Sequence, residues 1–240
     1  MRVRRWRRVA GVAVGAVVAL VAVGCGPEES AAEKPAGKPA PVTTPYKVLP
    51  ERLESDGTTI TVGDPAARRT VALYEDPRCP VCRTFEETGG APAALDLARE
   101  RTVKMQYTLA SFLDKSLGGH GSVRAVNALR AALEQGKFAE YHAVLYRDQP
   151  EESVDGFTTA RLLELASKVP GLRGARFDKA VEDMAYRSFV TRSEAAFESS
   201  GAEGTPTVLL DGAAIPQDQQ SVVFDRGQFA KYLTLWAAAG

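Results

Sequence analysis

Apolar and polar positions first alternate at Thr58–Val62 (T-T-I-T-V), and Gly63-Asp64-Pro65 closes the run, so a short strand is predicted there. Val71–Tyr74 is the mostly apolar run of a buried strand, and Thr102–Leu109 alternates again as a third strand. Between them, C-P-V-C-R-T-F-E-E-T has Pro80 in a first helical turn and continues helix-compatible to Gly89-Gly90, with a second helix over Leu95–Glu100. The first half of the folded body therefore reads β-β-α-β.

The period then lengthens to that of helices. Val123, Val126, Leu129 and Leu133 share one helical face, with Ser122 as the expected cap and Gly136 as the stop. Phe138, Tyr141 and Leu145 mark another helix, and a third opens at Thr158 or Thr159 and runs through Leu162, Leu163 and Ala166 to Val169-Pro170. A long helix is predicted from Phe177 to Ser199, with Val181, Met184, Ala185 and Phe189 on its apolar side. Strand character returns at Thr207–Gly212, Val222–Phe224 is a candidate for one more strand, and Gln228–Ala238 reads as a terminal helix. The expected architecture is one α/β domain over residues 58–240, interrupted by helices over about 112–200, with no internal repeat.

The chain ahead of Thr58 follows neither period. Residues 1–24 hold Arg2, Arg4, Arg5, Arg7 and Arg8 and no acid, and Val9–Val23 is an apolar run too short for a comfortable membrane span, which together read as a secretory signal. Its end, Ala22-Val23-Gly24-Cys25, resembles the lipobox of bacterial lipoproteins, although Ala22 stands where leucine is usual. That resemblance implies cleavage before Cys25 and attachment of a diacylglyceryl group to its sulfur. Residues 25–57, rich in Pro, Ala, Glu, Lys and Gly, are expected to be a disordered tether. About 30 such residues at ~3.1 Å each span up to ~90 Å. Without the five arginines the formally neutral chain becomes mildly acidic, which argues against nucleic acid as a partner.

With Cys25 assigned to lipid, one pair remains, Cys79 and Cys82, in a compartment that permits disulfides. Cys79 falls at a helix N-terminus, where unpaired N–H groups and the helix dipole favour thiolate, and pKa values of roughly 3.5–7.5 are typical of such sites. Arg78 beside it adds a positive charge that solvent screens. Cys82, one turn further in, is placed to be the buried partner that closes the disulfide. A structural zinc site needs more ligands than His120 and His142 supply at their separation. A static bridge across so small a loop stabilises little. Redox exchange is the reading these residues support best. Far along the chain, G-T-P-T-V-L-L-D-G puts Pro206 at the mouth of a strand, where a cis Thr205–Pro206 peptide would leave nearby backbone free to pair with an extended substrate.

The order of strand, D-P-R-C-P-V-C helix, helical insertion, G-T-P-T strand and terminal helix resembles the DsbA-like branch of thioredoxin-fold disulfide oxidoreductases, from about Thr58 to the C-terminus. The resemblance implies a thioredoxin-like fold with an inserted helical domain. It makes Cys79 the nucleophile, Cys82 the resolving cysteine and Pro206 the cis-proline facing them. Thr205 then tunes the cysteines and binds substrate, and Pro80 and Val81 between the cysteines influence the potential. Gln135–His142 is similar to a stretch common in the family, which gives His142 a structural role, while His120 reads as a solvated loop residue. One departure stands out. Relatives carry a buried carboxylate six residues before the first cysteine, where this chain has Leu73; Glu75, on the same strand face, is the candidate proton-transfer group.

The expected function is an exported, lipid-anchored thiol–disulfide oxidoreductase, monomeric and without cofactor or metal. It would donate its disulfide to reduced or misfolded exported proteins and be reset by a membrane redox partner. Reductase or isomerase use of the same pair stays open, although isomerases of this group commonly dimerise through an N-terminal domain where this chain has a linker. A Cu(I)-binding chaperone is a further alternative, disfavoured by three methionines and no His/Met cluster. The remaining alternative, an interaction module without turnover, sits poorly with an intact Cys79, Cys82 and Thr205-Pro206.

Overall fold

The structure, a computed structural model, describes residues 49–239. The expected signal segment, Cys25 and the expected linker up to residue 48 lie outside the described residues. Six strands form one sheet: β1 (Glu51–Leu53), β2 (Ile60–Val62), β3 (Arg69–Glu75), β4 (Val103–Leu109), β5 (Thr207–Leu210) and β6 (Ala213–Ala214), in the order β1-β2-β4-β3-β5-β6. The central pair β3 and β4 is parallel, from Arg69 opposite Val103 to Glu75 opposite Leu109, and the other pairs are antiparallel. Parallel neighbours need a crossover. It is supplied by α1 (Pro80–Glu87) and α2 (Ala91–Arg99), so the end of β3 feeds straight into the helix that starts at Cys79. Gly90 at the α1–α2 junction is where Phe229 packs; a Cβ there would collide with its ring.

The helical block comprises α3 (Leu113–Leu117), α4 (Gly121–Leu133), α5 (Phe138–Arg147), α6 (Thr159–Ala166), α7 (Ala175–Glu182) and α8 (Arg187–Ser199); α9 (Arg226–Ala238) ends the fold. The block shares the core of the sheet. Ile60, Val71 and Met105 of the strands, Phe85 and Leu95 of the crossover, and Leu129, Phe138 and Leu165 of the block belong to one continuous apolar cluster. Where local chemistry sets a boundary, the sequence rules hold: Thr158 caps α6 by accepting from Arg161 N at 3.1 Å, and Asp225 caps α9 by accepting from Gln228 N at 2.8 Å. No helix among the described residues is long and apolar enough to cross a membrane.

Four expectations need correction. The folded part begins before Thr58, because Glu51–Leu53 pairs with β2 as an edge strand. The long helix over 177–199 is two helices, broken where Met184 adopts φ 52°. Asn127 of α4 fills that break: its Oδ1 accepts Tyr186 N at 2.8 Å and its Nδ2 donates to Ala180 O at 3.2 Å, replacing bonds a continuous helix would make. Ser122 does not cap α4 but lies inside it, buried, with its hydroxyl donating to Asp76 Oδ1 at 2.6 Å. Val222–Phe224 belongs to a 3₁₀ helix (Gln217–Phe224) and not to a strand.

Candidate active site

The turn between β3 and α1 is fixed by side chains that spacing rules overlooked. Asp76 accepts from Arg78 N at 2.9 Å and from Leu113 N at 3.1 Å, and its carbonyl accepts from Cys79 N at 2.9 Å. Gln149 Nε2 donates to the carbonyls of Pro77 (2.8 Å) and Cys79 (3.0 Å). Arg78 is buried and turned away from the cysteines: it donates to Asp114 Oδ1 at 2.7 Å and to the carbonyls of Gly118 and Glu152, both at 2.8 Å. It therefore braces the loop against the helical block, and the charge it was expected to lend Cys79 goes to Asp114.

Cys79 is the N-cap of α1, and its Sγ accepts from Cys82 N at 3.4 Å. Both cysteines are buried free thiols packed with Tyr146 and Leu113. Pro80 and Val81 between them are exposed, so the tip of the motif faces solvent while its sulfurs do not. The surroundings act oppositely on the two sulfurs. The Cys82 thiol, hydrogen-bonded to Cys79, does most to bring the Cys79 thiol down to about 6; burial opposes it, and the Thr205 side chain with the N–H groups of Cys82 and Val81 adds to it. Burial drives Cys82 the other way, well above the ordinary thiol range, helped by the bond to Cys79 and the charges of Glu75 and Cys79. One sulfur is made a thiolate near neutral pH and the other is kept a thiol.

The Thr205–Pro206 peptide is cis and faces this pair: Cys79 Sγ lies 3.3 Å from Thr205 O. Thr205 Oγ1 is buried without a hydrogen-bond partner, close enough to favour the ionised form of both sulfurs. An open groove of roughly 670 Å³ runs along this loop, lined by Tyr74, Gly204, Thr205, Pro206 and Gln220 among others. Cys79, Cys82, Thr205 and Pro206, named from segments far apart in the chain, are brought together by the fold.

Beneath the cysteines lie Glu75, Glu86 and His142, all buried, with one potential ligand atom from each within 4.8 Å of the others. His142 Nε2 is 3.1 Å from Glu75 Oε2, and Nδ1 is 3.6 Å from Glu86 Oε2. The two ring nitrogens point in opposite directions at different carboxyls, and the carboxyls of Glu75 and Glu86 are themselves hydrogen-bonded. Of the cluster's atoms, His142 Nε2 is bonded to Glu75 Oε2, whereas His142 Nδ1 and Glu75 Oε1 are buried without a hydrogen-bond partner. Burial pushes the Glu75 carboxyl up to about 8 and the His142 imidazole down, so the ring is neutral at pH 7. Glu86 was missed in the sequence, although it stands four residues after Cys82 and so on the same helix face. His120, by contrast, is exposed, with its backbone N–H donating to Asp155 at 3.2 Å, as the loop reading expects.

The family model described as Thioredoxin matches residues 55–225. No curated protein sequence matches the chain. Among solved structures, oxidised BdbD from Bacillus subtilis is similar with a TM-score of 0.64 at 19% identity, over 80% of this chain and 98% of that one. MdbA, a thiol–disulfide oxidoreductase from Actinomyces oris, gives 0.61 at 21% identity over 82% and 95%. Oxidised DsbA from Mycobacterium tuberculosis gives 0.56 at 25% identity over 78% and 98%. The chain belongs to the thioredoxin family, with the fold of DsbA- and MdbA-type thiol–disulfide oxidoreductases.

Proposed function

We propose that this chain is an extracytoplasmic thiol–disulfide oxidoreductase, lipid-anchored at Cys25 and held off the membrane by a Pro/Ala-rich linker, that donates the Cys79–Cys82 disulfide to reduced exported proteins. A substrate thiolate attacks Cys79 Sγ, the bond to Cys82 breaks, and Cys82 departs with the electron pair and takes up a proton. The substrate's second thiolate then attacks its own sulfur in the mixed disulfide and Cys79 leaves as thiolate. Two electrons have passed to the protein, and a membrane redox partner removes them.

The observation that carries this reading is the unequal acidity of the two thiols. A Cys79 thiolate stabilised at neutral pH makes Cys79 a good leaving group and stabilises the reduced form, which raises the potential by about 30 mV for each tenfold gain. That favours the disulfide donor over the reductant. The groove beside Thr205–Pro206 and the exposed Val81 at the tip of the motif are the surfaces a substrate chain would meet.

The test is the equilibrium reduction potential of the pair together with trapping in cells. Cys82→Ala, which cannot release a mixed disulfide by internal attack, is expected to accumulate covalent adducts with cysteine-containing exported proteins, and the wild-type pair to be more oxidising than glutathione. A strongly reducing potential, with a single redox protein in the trap, would replace the donor by a reductant.

A further inference from the structure

Cys79 is favoured as a thiolate without the help of a cation. Arg78, next to it in the chain, is paired with Asp114. The titratable groups whose charges act on the sulfur, Cys82, Glu75 and Tyr146, are neutral or negative. What stabilises the anion is a set of neutral donors: the Cys82 thiol, the Thr205 side chain, and the N–H groups of Val81 and Cys82, the last 3.4 Å from Sγ. Backbone N–H groups serve an anion only while the carbonyls of the same turn point elsewhere, because each peptide unit carries a negative oxygen opposite its N–H. One carbonyl already faces the sulfur, Thr205 O at 3.3 Å, so any further one turned toward it would add to an existing repulsion.

The carbonyls of the turn are taken up from the end of α5. Tyr146, in the last turn of that helix, donates its hydroxyl to Asp76 O at 3.3 Å. Gln149 follows the C-cap Asp148, and its backbone N–H donates to Tyr146 O at 3.2 Å. Its side chain is buried and meets the carbonyls of Pro77 and Cys79, at 2.8 and 3.0 Å, with a single amide nitrogen. Two carbonyl oxygens at such distances can be met only by the NH₂ end of the amide, whose two hydrogens are then both used. Cys79 O also receives the helical bond from Arg83 N at 3.2 Å, whereas Pro77 O is served by Gln149. The two carbonyls flank the peptide unit between Arg78 and Cys79, so one amide fixes the direction in which the backbone enters the helix.

Building on the assignment of Cys79 and Cys82 as the exchange pair, we propose that Gln149 is a positioning residue for Cys79. By binding the Pro77 and Cys79 carbonyls it keeps them turned from the sulfur, leaves the N–H groups at the start of α1 facing it, and so sets how readily Cys79 leaves as thiolate. The contribution differs between redox states. In the disulfide the Cys79 sulfur carries no charge, and the direction of two carbonyl dipoles matters little to it. In the reduced protein the thiolate is an anion in a buried site, where such dipoles are only weakly screened. Gln149 therefore stabilises the reduced form more than the oxidised one, which makes the pair a stronger oxidant. It acts through the backbone, and the electrons and protons of the exchange are unchanged.

The experiment compares the wild type with Gln149→Met, which keeps the length and loses the donors, and Gln149→Glu, which keeps the shape, each as the detergent-solubilised full chain. Two quantities are read: the pH midpoint of thiolate absorbance near 240 nm in the reduced protein, and the equilibrium constant for exchange with glutathione at pH 7. In Gln149→Met the midpoint should rise from near pH 6. Its equilibrium should shift about three- to tenfold toward the disulfide form, up to about 30 mV less oxidising. Gln149→Glu has at most one donor, and only while protonated, so its midpoint should rise as well. The urea midpoint of Gln149→Met should also fall more in the reduced than in the oxidised protein, whereas a purely structural amide would lower both equally. Equal losses in the two states, or an unmoved thiolate midpoint and exchange equilibrium, overturn the positioning role. Should Gln149→Met not fold, Gln149→Glu decides alone, and an unmoved midpoint there has the same force. A wild type that titrates near pH 6 yet exchanges with no dithiol would instead sink the oxidoreductase reading, and the thiolate midpoints would still judge Gln149.

Discussion

Burial acts in the same direction on both thiols, yet Cys79 and Cys82 end on opposite sides of their ordinary value, because Cys79 receives hydrogen bonds and Cys82 supplies one. The largest influence on Cys79 is the Cys82 thiol itself, so the two sulfurs are one device. Thiolate absorbance near 240 nm should therefore titrate with a midpoint near pH 6 in the reduced wild type, and in Cys82→Ala the midpoint should move up. An unmoved midpoint would transfer the effect to the helix terminus alone. Glu75 gives a second prediction at this scale. Its folded carboxyl keeps a proton to about pH 8, whereas the unfolded one loses it near the ordinary value of 4.5. The unfolded state thus binds fewer protons across that window, and stability falls as pH rises through it. Asp76, pushed up to about 7 by burial, has the same sign. Cys79, brought down to about 6, has the opposite sign above pH 6, so Tm of the reduced protein should drop most steeply between pH 5 and pH 6, and Glu75→Gln should remove part of that drop; parallel curves for the two proteins would refute it. The placement of Cys79 and Cys82 at a helix start was legible because its signal is local, a spacing of three with Pro80 in the first turn. His142 was not, because nothing in a sequence says that a helix sixty residues on lays one ring between two carboxyls.

At the scale of elements, period and punctuation located nearly every strand and helix of the core, and the failures share one cause. Met184 sits in a stretch whose apolar spacing fits a continuous helix, and the chain nevertheless breaks there, because Asn127 on a different helix offers the two backbone groups at the break a better set of partners. Tertiary hydrogen bonding overrides propensity, and a single sequence does not display it. The consequence is measurable. Asn127 is fully buried, and Asn127→Ala would leave Tyr186 N–H and Ala180 C=O without those partners. Ala180 C=O keeps the Ala185 N–H at 3.0 Å, so the Tyr186 N–H alone is orphaned, and the loss should be about 1–3 kcal/mol, read as a lower urea midpoint with unchanged slope. A change below 0.5 kcal/mol would mean that the break is set by α7 and α8 alone. Ser122 was misread for a similar reason: its hydroxyl holds Asp76 from inside α4, so a residue type associated with caps serves the active-site turn instead.

For the molecule as a whole, the boundary of the fold is where sequence and structure part most clearly, and it has a functional edge. Glu51-Arg52-Leu53 is too short and too polar to announce itself as a strand, and only its register against β2, Glu51 opposite Val62 and Leu53 opposite Ile60, makes it one. Its second attachment lies in the helical block. Both Glu51 carboxylate oxygens accept at 2.8 Å, from Phe138 N and Ala139 N, at the start of α5, a helix whose own N-cap, Lys137, makes no side-chain cap bond. A carboxylate at that end satisfies free donors and meets the positive end of the helix dipole. Since α5 carries His142 and Tyr146 to the cysteines, the segment around Glu51 also helps seat the floor of the candidate site. Glu51→Ala should cost about 1 kcal/mol as a lost cap. A chain starting at Thr58 loses cap and strand together and should be destabilised by about 2–4 kcal/mol relative to one starting at Leu49. Urea titration of the two truncations measures the difference, and thiolate absorbance reads whether the loss reaches Cys79. Equal midpoints for the two would return residues 49–57 to the linker, whereas a gap larger than that of Glu51→Ala would make β1 a working part of the domain.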